Sequence, residues 1–520
     1  MLKAVCALQA FAVRSVSSVE KIELLPGRVG RNLEVHSFKR VVLNSVWSVW
    51  MRPLISLFCV ASCLLILVSR EVQAQGGLDA KFDSAPIAFA QGGKFKMLYD
   101  CRQRPQSVFL KDRVYVVYNG DAQPTKNDKG SAYPMLITYA PEDRSFSKPV
   151  RLGQKSSSDH HDSPIIWADE DDYLHVLFGC HKTPGTHLIS KHSVQKGTLG
   201  ITWTEGPQIA PKISYPTAFQ VDGDKELIYY RTDGHTSSWT YRISTDNGRT
   251  WAGPESDVTD LDSRGRLDWS SYQTKFPSKD GKSLHVVYTD YDDNKNSPDP
   301  QRFFNPRYDG LATNEWKYNL SYLKIDLESH VVRNASGDTL KTPIDIDYSK
   351  ENCQIWDTNW RGAGVPPAIA LDENGEPTFL HVLSEDSLTE HQYYYVRKFD
   401  GQWQQTPVTH STHQWNSCHL SHSDDGIIHA YLVAGDGYLA GGYMDRHGGG
   451  RIEEWTSSDK GNTWMKKRDL SPDKSKYAGW RFNNPQAISR PDGSVVDGML
   501  LFYGWKDKDA PAGQAFLLHE

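Results

Sequence analysis

The chain is short of cysteine, of long apolar runs, of basic charge and of helical periodicity, and each shortage removes a class of protein. Three of the seven cysteines precede residue 75, and the other four, Cys101, Cys180, Cys353 and Cys418, permit at most two disulfides. That is too few for a disulfide scaffold, so the core must come from packing. Residues 54–68 form an apolar run that is short for a bilayer span, and no later stretch is long enough to be one. The formal net charge is −6 and there is no basic tail, which argues against a nucleic-acid partner. Aromatic side chains, by contrast, are abundant, with 16 Trp and 25 Tyr.

The early apolar run has the layout of an export leader. Met51 opens MRPLISLFCVASCLLILVSREVQAQ, with a basic start, an apolar centre and Val72-Gln73-Ala74 as a small-residue cleavage site. Residues 1–50 are therefore expected to lie outside the functional product and 51–74 to be a signal peptide. The mature chain would begin near Gln75 and be secreted or periplasmic. It would carry 49 basic and 60 acidic side chains, a net of −11.

A single chain of this length needs a repeat to build one domain. One pattern recurs seven times: a turn, a β-branched and aromatic run of period two, then a polar exit. It occupies residues 113–121, 173–181, 226–234, 283–291, 377–386, 426–436 and 498–507. Hairpins at such intervals, with few helical stretches between, predict an all-β seven-bladed β-propeller over residues 75–520; two β-sandwiches are the alternative. The C-terminal AGQAFLLHE is placed to complete a blade with residues from about 78 to 98 and close the ring. Residues 244–251 and 457–464 both fit Ser-x-Asp-x-Gly-x-Thr-Trp, and they resemble the Asp-box turns between outer blade strands of sialidase-like and BNR-repeat proteins.

The stretch 159–187, DHHDSPIIWADEDDYLHVLFGCHKTPGTH, concentrates five histidines on one predicted hairpin. Folding it about residue 171 sets His161 opposite His181, and cross-strand partners lie about 4.5–5.5 Å apart at Cβ. The competing reading is a polar hairpin end with solvated histidines. The same count in the next repeat, turning at Gly223, sets Tyr215 opposite Arg231, and the one after sets Tyr272 beside Thr289 and Asp290. Equivalent blade positions converge on one end of a propeller channel. Removing the proton beside a uronate carboxylate requires a cation for the carboxylate, a base of suitable pKa and an acid for the leaving oxygen. Arg, His and Tyr supply all three without a metal.

These residues resemble the BNR-repeat polysaccharide lyases, seven-bladed propellers that include the ulvan lyases and related rhamnosyl-glucuronate lyases. The resemblance rests on Asp159-His160-His161-Asp162-Ser163-Pro164, Gly179-Cys180-His181, Tyr215-Pro216, Tyr230-Arg231 and Tyr272. Asp162 departs from it, standing where the family commonly has Asn, and the adjacent His160 leaves the first histidine ambiguous by one position. The resemblance implies His161 and Tyr215 as base and acid, His181 assisting and Arg231 neutralising the carboxylate. Tyr272, His160, His235 and Lys182 are expected to bind substrate. It implies an acidic polysaccharide as the partner, with no membrane span, and the chain is expected to act as a monomer.

No cofactor is expected to be required for catalysis. A structural zinc or calcium ion is weakly suggested by Cys353, His410, His413, Cys418 and His419, which lack a paired zinc spacing; scattered surface histidines are the competing reading. Two other functions fit parts of the pattern. A sialidase-type hydrolase is suggested by Arg102-Gln103-Arg104-Pro105, although no third arginine or Tyr/Glu couple accompanies it. A non-catalytic carbohydrate-binding propeller would use the aromatics alone. Binding a polyanion to an acidic protein also demands a local basic patch, for which Lys182, Arg231, Arg302 and Arg307 are the candidates.

Overall fold

The computed structural model describes residues 85–93, 96–123, 131–234, 237–260, 269–292, 304–311, 316–411, 413–434, 448–506 and 513–520. The expected leader at 51–74, His235 and Arg302 lie outside them. Seven antiparallel sheets follow one another as blades. Each of the seven sequence repeats supplies the second strand of its blade: Arg113–Gln123, Leu174–Phe178, Lys225–Arg231, Ser283–Asp292, Pro377–Ser384, Ile428–Ala434 and Val495–Trp505. The alternation works because successive side chains point to opposite faces, and each face packs on a neighbouring blade. Between the third and fourth blades, Tyr229 and Tyr241 pack with Leu284, Val286 and Tyr288. The ring closes as the sequence suggests: Gly513–His519 pairs with Ile87–Gly93, Ile87 facing Leu517. The first and last described strands thus share one blade.

The first strand of every blade faces the axis. Together these strands line a central cavity of about 140 Å³, with Thr217, Thr274, Ile369 and Ala487 in its wall. All four described cysteines are free thiols, so no disulfide among them holds the ring. No helix among the described residues is long and apolar enough to cross a membrane.

The two Ser-x-Asp-x-Gly-x-Thr-Trp segments close in the same way. Asp459 Oδ1 accepts from Thr463 N at 2.9 Å and Oδ2 from Thr463 Oγ1 at 2.7 Å, while Gly461 N donates to Ser457 Oγ at 2.8 Å. Asp246, Thr250, Gly248 and Ser244 repeat the pattern. Gly461 has φ +86° and packs face-on against the Tyr395 ring, so no other residue fits there without strain.

The packed interior also sets an acid limit. Burial holds His285 and His422 down to about 4, and His381, His391 and His419 down to about 3. In the unfolded chain each titrates near 6.5. The unfolded state therefore binds more protons throughout this window, and stability present above about pH 6.5 is lost as pH falls toward 4. Thermal melts are expected to give a Tm several degrees lower at about pH 4.5 than at about pH 7. A Tm that stays flat across that window would contradict this account.

Candidate active site

The chain enters the second blade through a short 3-10 turn, His160–Asp162, capped by Asp159, whose side chain accepts from His161 N at 3.0 Å. The hairpin that follows has the expected register, with Ile165 opposite Leu177 and Ala168 opposite Leu174. The ladder stops there. Residues 160–162 turn away, and His181–Thr183 leaves to pair with the first strand of the third blade, His181 facing Ser214. The two imidazoles still meet, with ring centroids 4.4 Å apart.

Asp159 holds them together. His161 Nδ1 donates to Oδ1 and His181 Nδ1 donates to Oδ2, each at 2.5 Å. With both Nδ1–H groups committed to one carboxylate, each ring carries its lone pair on Nε2. Burial raises the Asp159 carboxyl, but the two histidine hydrogen bonds outweigh it and hold the group far below the usual carboxylate range. Burial in turn brings His161 down to about 4 despite the pull of Asp159, so the ring is neutral at working pH. His160 lies on the other side of His161, their ring centroids 4.1 Å apart; its Nε2 is 3.4 Å from Lys96 Nζ and its ring stacks on Tyr99. A groove of about 390 Å³ opens beside the pair, lined by Asn119, Lys155, Asp159 and His181.

In the third blade, the expected pairing of Tyr215 with Arg231 is shifted by one. Ser214 faces Arg231, Thr217 faces Tyr229, and Tyr215 sits in the irregularity between them with φ +55°. The two side chains nevertheless stack, with Arg231 Cζ 4.7 Å from the Tyr215 ring centroid and 5.4 Å from that of Tyr272. Tyr272 faces Thr289 as expected and shares a 3.1 Å hydrogen bond between its hydroxyl and that of Tyr215. The rings of Tyr215 and His161 meet edge to face with centroids 5.4 Å apart. Burial, and next the neighbouring Tyr272, push the Tyr215 phenol well above its ordinary pKa, against the opposing pull of Arg231 and Arg102. The hydroxyl therefore keeps its proton. Arg231 is fully buried, and its two terminal nitrogens find no acceptor among the described residues.

Sequence reasoning missed half of the pocket. Arg102 stacks within 5.1 to 5.8 Å of Tyr99, Tyr215, Tyr272 and Trp415, and its Nε donates to Asp100 at 2.7 Å. Lys317 Nζ lies 4.6 Å from the Tyr272 ring centroid and 5.0 Å from that of Trp415, and Lys96 packs on Tyr99 and Trp415. Lys96, Arg102, Arg231 and Lys317 thus surround four aromatic rings, giving an acidic protein a local positive centre. Of the basic candidates named from sequence that lie among the described residues, only Arg231 belongs to it. Lys182 lies near the loop at Gly234, and Arg307 pairs with Asp386. Arg104, the second arginine of the sialidase-like run, lines the axial cavity instead and donates to Tyr99 O.

The structure does not assemble the suggested zinc or calcium set. Cys353 is buried against the third and fourth blades, and Cys418 in the core of the fifth and sixth. His413 Nδ1 accepts from Trp415 N at 3.1 Å, His419 lines the axial cavity, and His410 is exposed on an outer strand. Their spacing along the chain reflects strand alternation and not a common centre. Asp159, His161 and His181 do lie close enough to hold a metal. Their 2.5 Å spacings, however, match charge-assisted hydrogen bonds and not the roughly 3.3 Å between ligands on a tetrahedral ion with 2.0–2.1 Å bonds.

Residues 115–411 match the profile of the BNR repeat-containing family. The chain belongs to that family. Among curated BNR-type relatives, an "Ulvan Lyase-PL25" of Pseudoalteromonas sp. (strain PLSV) is 29% identical over 308 residues, covering 53% of this chain and 56% of the relative. An "Ulvan lyase" of Alteromonas sp. (strain LOR) is 25% identical over 306 residues, 53% of this chain and 57% of the relative. The chain thus spans a little over half the length of these relatives. A solved PL25 ulvan lyase bound to -[GlcA(1-4)Rha3S]- superposes with a TM-score of 0.64 at 18% identity, over 84% of this chain and 96% of that one, which is a likeness of fold.

Proposed function

We propose that this BNR-repeat propeller is an exported polysaccharide lyase that cleaves a uronate-containing glycan, of ulvan or rhamnosyl-glucuronate type, by β-elimination. The observation that carries the reading is the convergence of three groups in one pocket: His161 with its ring 5.4 Å from that of Tyr215, and the buried Arg231 with its Cζ 4.7 Å from the Tyr215 ring; burial favours a neutral His161 and a protonated Tyr215. A neutral Nε2 can take a proton and a protonated phenol can give one, so base and acid are each ready in the resting state. His161 takes the proton from C5, the C4–O bond breaks with formation of the C4=C5 double bond, and Tyr215 returns a proton to the leaving oxygen. His181, fixed to the same carboxylate, presents a second Nε2 to the same region. The positive centre balances the negative charge that gathers on the uronate as the C5 proton leaves.

The names of the curated relatives support the substrate class, and the leader at 51–74 supports export. The test is incubation with a panel of ulvan, glucuronan, pectic and rhamnosyl-glucuronate polymers while following near-UV absorbance. The expected result is new absorbance, from the unsaturated uronate, on a glucuronate-bearing member. New reducing ends without absorbance would show hydrolysis and end the lyase reading; binding without new ends would mark a carbohydrate-binding propeller.

A further inference from the structure

Far from the pocket, in the packing between the second and third blades, two carboxylates and a histidine are enclosed together. Asp169 is 3% exposed, Glu226 1% and His175 0%. His175 Nε2 lies 3.2 Å from Asp169 Oδ2 and 3.6 Å from Glu226 Oε1, and Glu226 Oε1 has no hydrogen-bond partner among the described residues. The proton arrangement around them can be worked out from the outside inward. His187 Nδ1 faces Pro207 O at 3.1 Å, and a carbonyl only accepts, so that nitrogen carries hydrogen. His187 Nε2 then presents a lone pair to His175 Nδ1 at 3.1 Å, and His175 Nδ1 must donate. What remains is His175 Nε2, aimed between two buried carboxylate oxygens.

We propose that Asp169, His175 and Glu226 form a site for a divalent metal ion of the zinc class, which ties the second blade to the third. The two spacings of 3.2 and 3.6 Å bracket the roughly 3.3 Å expected between ligands on a tetrahedral centre, and the longer one is beyond hydrogen-bonding range. Each ligand is held by an outer partner, as metal ligands usually are. His187 orients His175, Trp167 Nε1 donates to Glu226 Oε2 at 3.2 Å, and Tyr173 N donates to Asp169 Oδ1 at 2.8 Å. Charge points the same way. Two carboxylates with a neutral imidazole carry −2, which a divalent ion cancels, whereas an imidazolium would leave a buried net charge of −1. The turn of the third blade seals the site: a Cβ on Gly248 would come within 2.8 Å of His175 Cε1.

The test uses the full chain, stripped with chelator and titrated with Zn²⁺, and separately with Co²⁺ as a spectroscopic probe. The expected result is about one tightly held equivalent per chain, a Tm raised by several degrees, and visible Co²⁺ absorption of four-coordinate intensity. Glu226→Gln and Asp169→Asn should each lose the bound equivalent and the Tm response. If either variant fails to fold, the wild-type titration decides alone. No bound metal and equal Tm with Zn²⁺ and with chelator would overturn the proposal and leave His175 as an imidazolium shared by the carboxylates. An equivalent retained in Glu226→Gln but lost in His181→Ala would also overturn it, placing the ion at Asp159.

Discussion

Tyr215→Phe is expected to lower the rate of uronate elimination by about 10²- to 10⁴-fold, the range of a positioned general acid. The substitution removes one oxygen and leaves the ring that packs against His161, Tyr272 and Arg231. Its structural cost is small. The lost hydrogen bond to Tyr272 is a neutral pair worth about 1 kcal/mol, a shift of a few degrees in Tm at most. Rate and stability therefore separate cleanly. Initial rates of double-bond absorbance, normalised to folded protein by thermal melt, make the measurement. A loss of less than about 10-fold would mean that another group, or water, protonates the leaving oxygen. The pH profile adds a second check. The base limb should follow His161, falling as pH drops toward 4, and the Phe variant should keep that limb while its plateau sinks.

The blades were legible in the sequence because their signal is local. Each repeat, such as Arg113–Gln123, alternates with period two beside its own turn, and strand pairing needs only neighbouring residues. Ring closure could be read for the same reason, from one apolar run at each end. The pocket was legible only in part. His161 and His181 meet as counted, but through Asp159 and not through a continued ladder, since the chain leaves the hairpin at both ends. Tyr215 and Arg231 meet although the count was off by one, because the residue in the bulge turns its ring back toward the guanidinium. Tyr99, Arg102, Lys317 and Trp415 were missed for a different reason. They come from the segment before the first blade, from the third strand of the fourth and from the entry to the sixth, with no shared spacing. Only closing the ring brings them to one place. The histidines and cysteine at residues 410–419, which lack a paired zinc spacing, lie apart because alternating strands place near neighbours in sequence on opposite faces.

Arg231→Met is expected to lower kcat/KM by about 100-fold while leaving Tm unchanged or higher. A buried cation without a carboxylate partner affects the two quantities in opposite ways. Arg231 is fully enclosed, with its terminal nitrogens lacking acceptors, so it costs desolvation that no ion pair offsets. Replacing such a group by an apolar side chain of similar volume is often neutral or stabilising. Its charge, however, reaches the pocket. At about 6 Å and an effective dielectric near 20, a unit charge interacts with a developing anion by about 3 kcal/mol, which is roughly two decades in rate. Arg231→Lys keeps the charge but gives up the planar stack on Tyr215, and should fall between wild type and Met. A merely structural arginine predicts the opposite order: Met would melt early, and the surviving folded fraction would turn over at the wild-type rate. Measuring specific activity per folded molecule beside Tm distinguishes the two. Full activity in the Met variant would remove Arg231 from the mechanism and leave Arg102 and Lys317 as the cations that hold the uronate.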